Sequence, residues 1–145
     1  MPSRTARTAW TGSLMEGSGQ VEMSSSHVGT YDVSFPKRAA EDAGGTTSPE
    51  ELIAAAHSSC YAMSLASEIA KSGGTPQALD VRAVVTVGRD DSGLRISTSA
   101  LTVRAEVDGL DADAFAKVAQ VAKDGCPVSK ALSGLEITLD AALEG

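Results

Sequence analysis

The sequence contains few aromatic residues, and this limits how its core can be built. Among 145 residues there are one Trp, two Tyr and two Phe. Aromatic side chains supply much of the buried area in most small domains, so Ala, Val, Leu and Ile must form most of this core. The length predicts one domain over residues 1–145, and so light a core indicates that a second copy of the chain completes it.

Positive charge is scarce as well. Twelve Lys and Arg residues stand against 19 Asp and Glu residues, which gives a formal net charge of −7 at pH 7. No basic stripe is present that could release counterions from a phosphate backbone. The composition therefore argues against a general binder of nucleic acid or of an anionic membrane surface.

Long apolar runs are missing too. The longest one, 52–56, is far too short to cross a bilayer, and the first residues lack the apolar stretch of a signal peptide. We therefore expect no membrane partner and a cytoplasmic location. Phosphate-binding loops are also missing, because neither Gly44-Gly45 nor Gly73-Gly74 belongs to a nucleotide-binding pattern.

Alternating and helical patterns predict an α+β fold with antiparallel sheets and two main helices, in the order β-β-β-α-β-β-α-β. The first part of the chain is expected to form three short strands followed by a polar loop. The strands are predicted at 8–12, 20–24 and 28–35, and the loop at 36–47.

The first main helix has marked ends. Ser48 precedes Pro49 and is followed three residues later by Glu51, which is a capping box with proline at the first helical position. The helix is predicted to run from residue 49 to about 71 and to stop at Gly73-Gly74. Its interior, 52–66, carries no formal charge, so nearly every side of it should be covered.

The second half predicts a hairpin, a helix and a last strand. Strands at 79–87 and 94–107 should pair antiparallel, with a bulge near 100–101 where the apolar phase shifts. Asp111 is the expected cap of a helix ending near Gly125. A short helix after Cys126-Pro127 and a strand at 135–143 complete the pattern.

Three side chains that can carry chemistry share one face of the first main helix. At 100° per residue, Glu50, His57 and Cys60 fall within about a quarter of its circumference. Glu50 has a simpler explanation, since a carboxylate near a helix N-terminus complements the dipole. For His57 the simpler expectation is a ring hydrogen-bonded to a backbone carbonyl.

The two cysteines admit both an inert and a reactive interpretation. A cytosolic chain should keep Cys60 and Cys126 reduced, and free cysteines often serve as small hydrophobic residues. Cys126, however, stands at a predicted helix N-cap, where backbone N–H groups stabilise a thiolate. Arg38, next to Lys37, is either a solvated loop charge or a cation that keeps Cys60 ionised and orients a polar substrate.

Other classes of site fit less well. Zinc would find at most three ligands, His57, Cys60 and Cys126, and the sequence has no C-x-x-C pair. A Cys-His hydrolase would need an Asn or Asp to orient His57 and an oxyanion hole, and neither is evident. A non-catalytic dimeric protein that binds a small ligand in an apolar interface pocket stays open as an alternative.

Two cysteine motifs resemble those of the OsmC/Ohr family, the osmotically inducible protein C and organic hydroperoxide resistance proteins. The segment 47–61, TSPEELIAAAHSSCY, resembles the first motif, and 125–132, GCPVSKAL, resembles the second. The opening Ala9-Trp10-Thr11-Gly12 and the closing 135–139 are also similar to the family. His57 and Val128 make the motifs more similar to the OsmC branch than to the Ohr branch.

The resemblance implies an intertwined homodimer that acts as a thiol-dependent peroxidase on organic hydroperoxides, without a metal or prosthetic group. By position, Cys60 matches the peroxidatic cysteine, Cys126 the resolving cysteine, Glu50 the family glutamate and Arg38 its arginine. Cys60 would attack the peroxide's distal oxygen and become a sulfenic acid. Cys126 would condense with it to a disulfide, which an external dithiol reduces; in Ohr-type relatives that dithiol is a dihydrolipoyl protein.

Overall fold

The computed structural model describes residues 1–144 and contains two compact units, Met1–Pro49 and the chain from Glu50 onwards. The first unit is an antiparallel meander in the order β1-β2-β3. Its strands are β1 (Arg7–Thr11), β2 (Ser18–Glu22) and β3 (Thr30–Val33). All three strands predicted from the sequence are therefore present, with their ends shifted by a few residues.

A short helix, α1 (Phe35–Ala39), occupies the start of the segment predicted to be a loop. The side chain of Ser34 caps it by accepting a hydrogen bond from the backbone N–H of Lys37. Pro36 lies in its first turn, where the missing N–H of proline costs nothing. The loop prediction was thus wrong over 36–39, because a cap and a proline are enough to start one helical turn.

The second unit is built on the long helix α2 (Pro49–Lys71). Its ends agree with the prediction, and Gly73, with φ of 87°, follows the helix in the left-handed conformation that glycine adopts without strain. Although α2 has 23 residues, no helix among residues 1–144 is long and apolar enough to cross a membrane.

The remaining elements form a three-stranded sheet and two further helices. Strands β4 and β5 make an antiparallel hairpin, as predicted, but β6 runs parallel to β5. The expectation of purely antiparallel sheets was therefore wrong for β6, which returns to the sheet after a helical crossover. The elements are β4 (Thr75–Asp90), β5 (Gly93–Asp108), α3 (Ala112–Gly125), α4 (Pro127–Ala131) and β6 (Glu136–Leu143).

The hairpin register is interrupted at two places, neither of them at 100–101. Thr86 pairs with Thr98 and Val87 with Ile96, so Ser97 is the extra residue of one bulge. A second shift leaves Gln77 unpaired on β4. The predicted bulge exists, but it lies a few residues earlier in β5.

The core of the second unit lies between α2, the sheet and α3. One row of α2 side chains, spaced four residues apart, is fully buried against the inward side chains of β5 and a stripe of α3. Cys126, at the junction of α3 and α4, belongs to the same core and has no exposed surface. The row and its partners are Tyr61, Leu65, Ile69, Leu101, Val103, Ala105, Phe115, Val118, Ala119 and Ala122.

Candidate active site

Two free thiols meet where α2 packs against the junction of α3 and α4. Cys60 lies in the middle of α2 and is partly exposed, whereas Cys126 is the residue between α3 and α4 and is completely buried. A hydrogen bond joins the two side chains. Residues 66 positions apart in the sequence are thus brought into contact, and both are reduced.

Cys60 opens into a cleft of about 390 Å³. The cleft is lined by Met63 and Ala122 and by Pro127 at the start of α4. Its opposite end contains the ion pair of Glu68 and Lys71, with 2.8 Å between the carboxylate oxygen and Nζ. Because helical residues rise about 1.5 Å each, that charged end lies about 12–16 Å along α2 from Cys60.

The surroundings shift the pKa values of the two thiols in opposite directions. Burial raises the pKa of Cys60, and although the backbone N–H of Val128 opposes this effect, the hydrogen bond to Cys126 adds to it. Burial also acts to raise the pKa of Cys126, but the backbone N–H and hydroxyl of Ser129 and the thiol of Cys60 outweigh it and lower that pKa. The pKa of the thiol in the cleft is thus raised and that of the buried thiol lowered.

The N-terminus of α4 contributes to this stabilisation. Cys126 is the N-cap of α4 without a side-chain cap hydrogen bond, and the backbone N–H groups of Val128 and Ser129 lower its pKa. Partial positive charge at a helix start still favours a thiolate. The N-cap position predicted for Cys126 is confirmed.

His57 lies on the buried face of α2 and is fully enclosed. Its Nδ1 is 2.7 Å from the hydroxyl of Ser99 in β5, and its Nε2 is 2.8 Å from the hydroxyl of Ser129 in α4. The expected backbone carbonyl partner was therefore wrong: two serine hydroxyls take that place. Burial lowers the pKa of His57, so the ring is neutral near pH 7.

Ser99 and Ser129 are the residues that the sequence analysis missed. Ser99 follows the bulge at Ser97, and its side chain points to the core side of β5. Ser129 stands three residues after the N-cap Cys126, where a side chain can reach back to the cap position. That spacing is the one sequence signal that could have suggested Ser129.

The other two predicted site residues lie in different units. Glu50 is the second residue of α2 and is buried, with about 8% of its surface exposed. Arg38 lies in the last turn of α1 in the first unit and is half-buried. Glu50 and His57 share the buried face of α2 as predicted, and Cys60 stands at the edge of that face.

Both ring nitrogens of His57 are bonded to serine hydroxyls, so the ring contacts neither thiol as a base in this arrangement. Within residues 1–144 no group of three or more His, Cys, Asp or Glu side chains is arranged to hold a metal ion. The arrangement presents one thiol in a cleft and a second thiol buried behind it.

The chain is similar to known proteins over most of its length. The sequence profile of the family described as "OsmC-like protein" matches residues 42–140. Peroxiredoxin OsmC of Escherichia coli (strain K12) is 39% identical over 131 residues, which cover 90% of this chain and 90% of that protein. Peroxiredoxin OsmC of Shigella flexneri matches with the same identity and coverage.

Solved structures share the fold. An organic hydroperoxide resistance protein from Elizabethkingia anophelis matches with a TM-score of 0.77 and 24% identity over 99% of both chains. The organic hydroperoxide resistance protein OhrB of Bacillus subtilis has a TM-score of 0.74 and 24% identity, and the match covers 94% of this chain and 97% of that one. The resemblance noted in the two cysteine motifs is confirmed, and the chain belongs to the OsmC-like family.

Proposed function

We propose that the chain is a thiol-dependent peroxidase that reduces organic hydroperoxides to alcohols. One observation carries the proposal: two reduced cysteines are in contact, one of them open to a cleft and the other fully buried behind it. This is the arrangement that a peroxidatic and a resolving cysteine require, because only the first must meet substrate. The relatives named Peroxiredoxin OsmC support the same activity.

The reaction proceeds in two steps within the protein. The Cys60 thiolate attacks the terminal oxygen of the hydroperoxide, the O–O bond breaks, and the alkoxide takes up a proton and leaves as the alcohol. Cys60 is then a sulfenic acid. The Cys126 sulfur attacks the Cys60 sulfur, and the hydroxyl group departs with a proton as water, which leaves a Cys60–Cys126 disulfide.

Substrate class follows from the lining of the cleft. Met63, Ala122 and Pro127 line the same cleft as the thiol, so an alkyl or aryl group of the substrate is removed from water as its peroxide end reaches Cys60. Hydrogen peroxide has no such group and gains nothing from this surface. We therefore expect organic hydroperoxides to react faster than hydrogen peroxide.

The nucleophile needs a cation beside it. Burial and the hydrogen bond to Cys126 raise the pKa of Cys60. A guanidinium near Cys60 would lower that pKa and favour the attacking thiolate. In this proposal Arg38 supplies that guanidinium and Glu50 holds it through a carboxylate pair.

An external dithiol restores the two thiols, and the site indicates which sulfur it attacks. Cys60 faces the cleft whereas Cys126 is buried, so the reductant reaches the Cys60 sulfur and Cys126 is the leaving group. A leaving thiol with a lowered pKa departs faster. A dihydrolipoyl protein, which carries its dithiol on a long flexible arm, fits this requirement, and no bound cofactor enters the cycle.

We further propose that two chains form a homodimer through α2. Only one row of its side chains is buried within the second unit, while Ala55, Ala56 and Met63 are exposed. Residues 52–66 carry no formal charge, and an uncharged helix surface of this length is normally covered. In an intertwined dimer, a second copy of the chain would cover this surface.

Thiol titration tests the proposed activity. The chain has two cysteines in all, so free thiols are counted with Ellman's reagent before and after one equivalent of cumene hydroperoxide, tert-butyl hydroperoxide or hydrogen peroxide. We expect both thiols to be lost, fastest with the organic peroxides, and to return with dithiothreitol. Cys60→Ser should lose none, and Cys126→Ser should lose one and then stall.

Two outcomes would contradict the proposal. Steady-state peroxide consumption by Cys60→Ser would show that another group is the nucleophile. Two thiols left untouched in the unmodified protein would favour the alternative of a small-ligand-binding protein that does not use its cysteines.

A further inference from the structure

A buried imidazole links the two helices that carry the cysteines. His57 lies on α2, one turn before Cys60, and its Nε2 is 2.8 Å from the hydroxyl of Ser129 in the first turn of α4. Cys126 is the N-cap of that same turn. The bond between His57 and Ser129 therefore joins the turn that carries the first sulfur to the turn that carries the second.

The short helix α4 needs such an anchor. It has five residues, and a single helical turn is not stable by itself in water. Its start at Pro127 faces the cleft, so one side of it is open to solvent. Of its residues, Ser129 is the one that is buried, and the contact with His57 lies there.

Ser129 links the imidazole to the buried thiol. Its hydroxyl oxygen is 2.8 Å from Nε2 of His57, and its hydrogen bond to the Cys126 sulfur lowers the pKa of that thiol. The other ring nitrogen, Nδ1, is 2.7 Å from the hydroxyl of Ser99. The ring is therefore held between β5 and the turn that carries Cys126.

We propose that His57 is a positioning residue for disulfide formation: through Ser129 it holds Cys126 within reach of the oxidised Cys60 sulfur. The proposal rests on the proposed peroxidase function. In the step concerned, the Cys126 sulfur forms a bond with the Cys60 sulfur, the S–O bond of the sulfenic acid breaks, and the hydroxyl group leaves with the Cys126 proton as water. No further oxidant or reductant enters.

The same chain of bonds has an effect that does not depend on peroxide. The Ser129 hydroxyl stabilises the Cys126 thiolate only while His57 holds it in place. The other ionisable groups that act on Cys126 are the thiol of Cys60 and the buried phenol of Tyr61, both on α2. In a Cys60→Ser background the Cys60 thiol no longer affects the pKa of Cys126. The titration of Cys126 therefore reports the Ser129 contact more directly.

The experiment compares three variants with the parent protein. Ser129→Ala removes the hydroxyl, and His57→Gln replaces a ring that spans both serines by an amide that reaches one. Ser133→Ala is the matched control, since this exposed serine follows α4. After one equivalent of cumene hydroperoxide, dimedone trapping measures how long the Cys60 sulfenic acid persists, and thiol titration measures loss of the second thiol.

We expect Ser129→Ala and His57→Gln to form the disulfide about tenfold more slowly, the usual effect of losing one well-placed buried hydrogen bond, and to accumulate the dimedone adduct. The first step, attack on the peroxide, should keep the parent rate. Ser133→Ala should match the parent in both steps. In the Cys60→Ser background, Ser129→Ala and His57→Gln should each shift the pH midpoint of Cys126 alkylation by iodoacetamide upwards.

Parent rates of disulfide formation in both Ser129→Ala and His57→Gln would overturn the proposal. If His57→Gln does not fold, as judged by circular dichroism, Ser129→Ala decides alone. Failure of the parent protein to react with any peroxide would count against the proposed function. The alkylation profile, measured without peroxide, would still support or refute the His57–Ser129 link.

Discussion

Mild acid should destabilise the fold through His57. The ring is fully buried between two serine hydroxyls, and burial lowers its pKa below the ordinary value of 6.5. The unfolded chain therefore binds a proton near pH 6 that the folded chain does not. The stabilisation is complete above about pH 6.5, and it is lost as the pH falls from there towards the pKa of the folded state.

The size of the effect can be bounded. A difference of one proton changes the free energy of unfolding by at most about 1.4 kcal/mol per pH unit. Between about pH 6.5 and about pH 5 the loss therefore reaches up to about 2 kcal/mol, a sizeable part of the 5–15 kcal/mol or so by which most domains are stable.

Urea denaturation at a series of pH values, at fixed protein concentration, measures this loss. Carboxylates contribute to the same curve, so the quantity of interest is the difference in slope between the parent and His57→Gln. The matched control is His27→Asn: His27 is exposed, and its φ of 59° is one that asparagine tolerates. We expect His57→Gln to flatten the pH dependence and His27→Asn to leave it as in the parent.

An unchanged slope in His57→Gln would refute the reasoning, because it would mean that the folded and unfolded chains bind the same number of protons at this residue. A protonated His57 would donate from both ring nitrogens, so both serine hydroxyls would have to accept, and the ring would need a counter-charge in the core.

Two further predictions concern α2. Tyr61→Phe removes a buried hydroxyl that donates to the carbonyl of Ala119 in α3 at 2.8 Å. We expect the free energy of unfolding to fall by about 1 kcal/mol, or the Tm by about 2–4 °C in calorimetry. An unchanged Tm would show that this hydrogen bond does not stabilise the fold. Ala55→Glu places a charge on the exposed, uncharged part of α2 and should convert the proposed dimer to a monomer in sedimentation velocity. Ala70→Glu, beyond that part, should not; a dimer in both variants would place the interface elsewhere.

Elements with chemically marked ends were predictable from the sequence. Ser48-Pro49 and Gly73-Gly74 define α2, and Asp111, whose side chain accepts a hydrogen bond from the backbone N–H of Ala114, defines the start of α3. The direction of β6 was not predictable. Alternation in Glu136–Leu143 shows which side chains face the core, but it carries no information about the direction of the neighbouring strand.

The position of the bulge and the contacts of His57 are also features that the sequence does not predict. Residues 97–100 are small or polar, so the phase shift in β5 has no apolar marker that locates it at Ser97. The cysteines and Glu50 could be selected because each is chemically distinctive. Ser99 and Ser129 are ordinary serines, and they reach His57 across 42 and 72 positions, a proximity that only tertiary packing creates.

The bulge at Ser97 also separates a two-stranded part of the sheet from a three-stranded part. β6 pairs with β5 from Thr98 to Ala105, whereas the ladder between β4 and β5 continues to the turn at 91–92. Beyond Ser97 the hairpin is a two-stranded ribbon, which is marginally stable by itself. We expect its amide hydrogens to exchange with solvent before those of the three-stranded part. Ser99 lies on the three-stranded side, so the ribbon can fray while His57 and the thiol pair keep their arrangement.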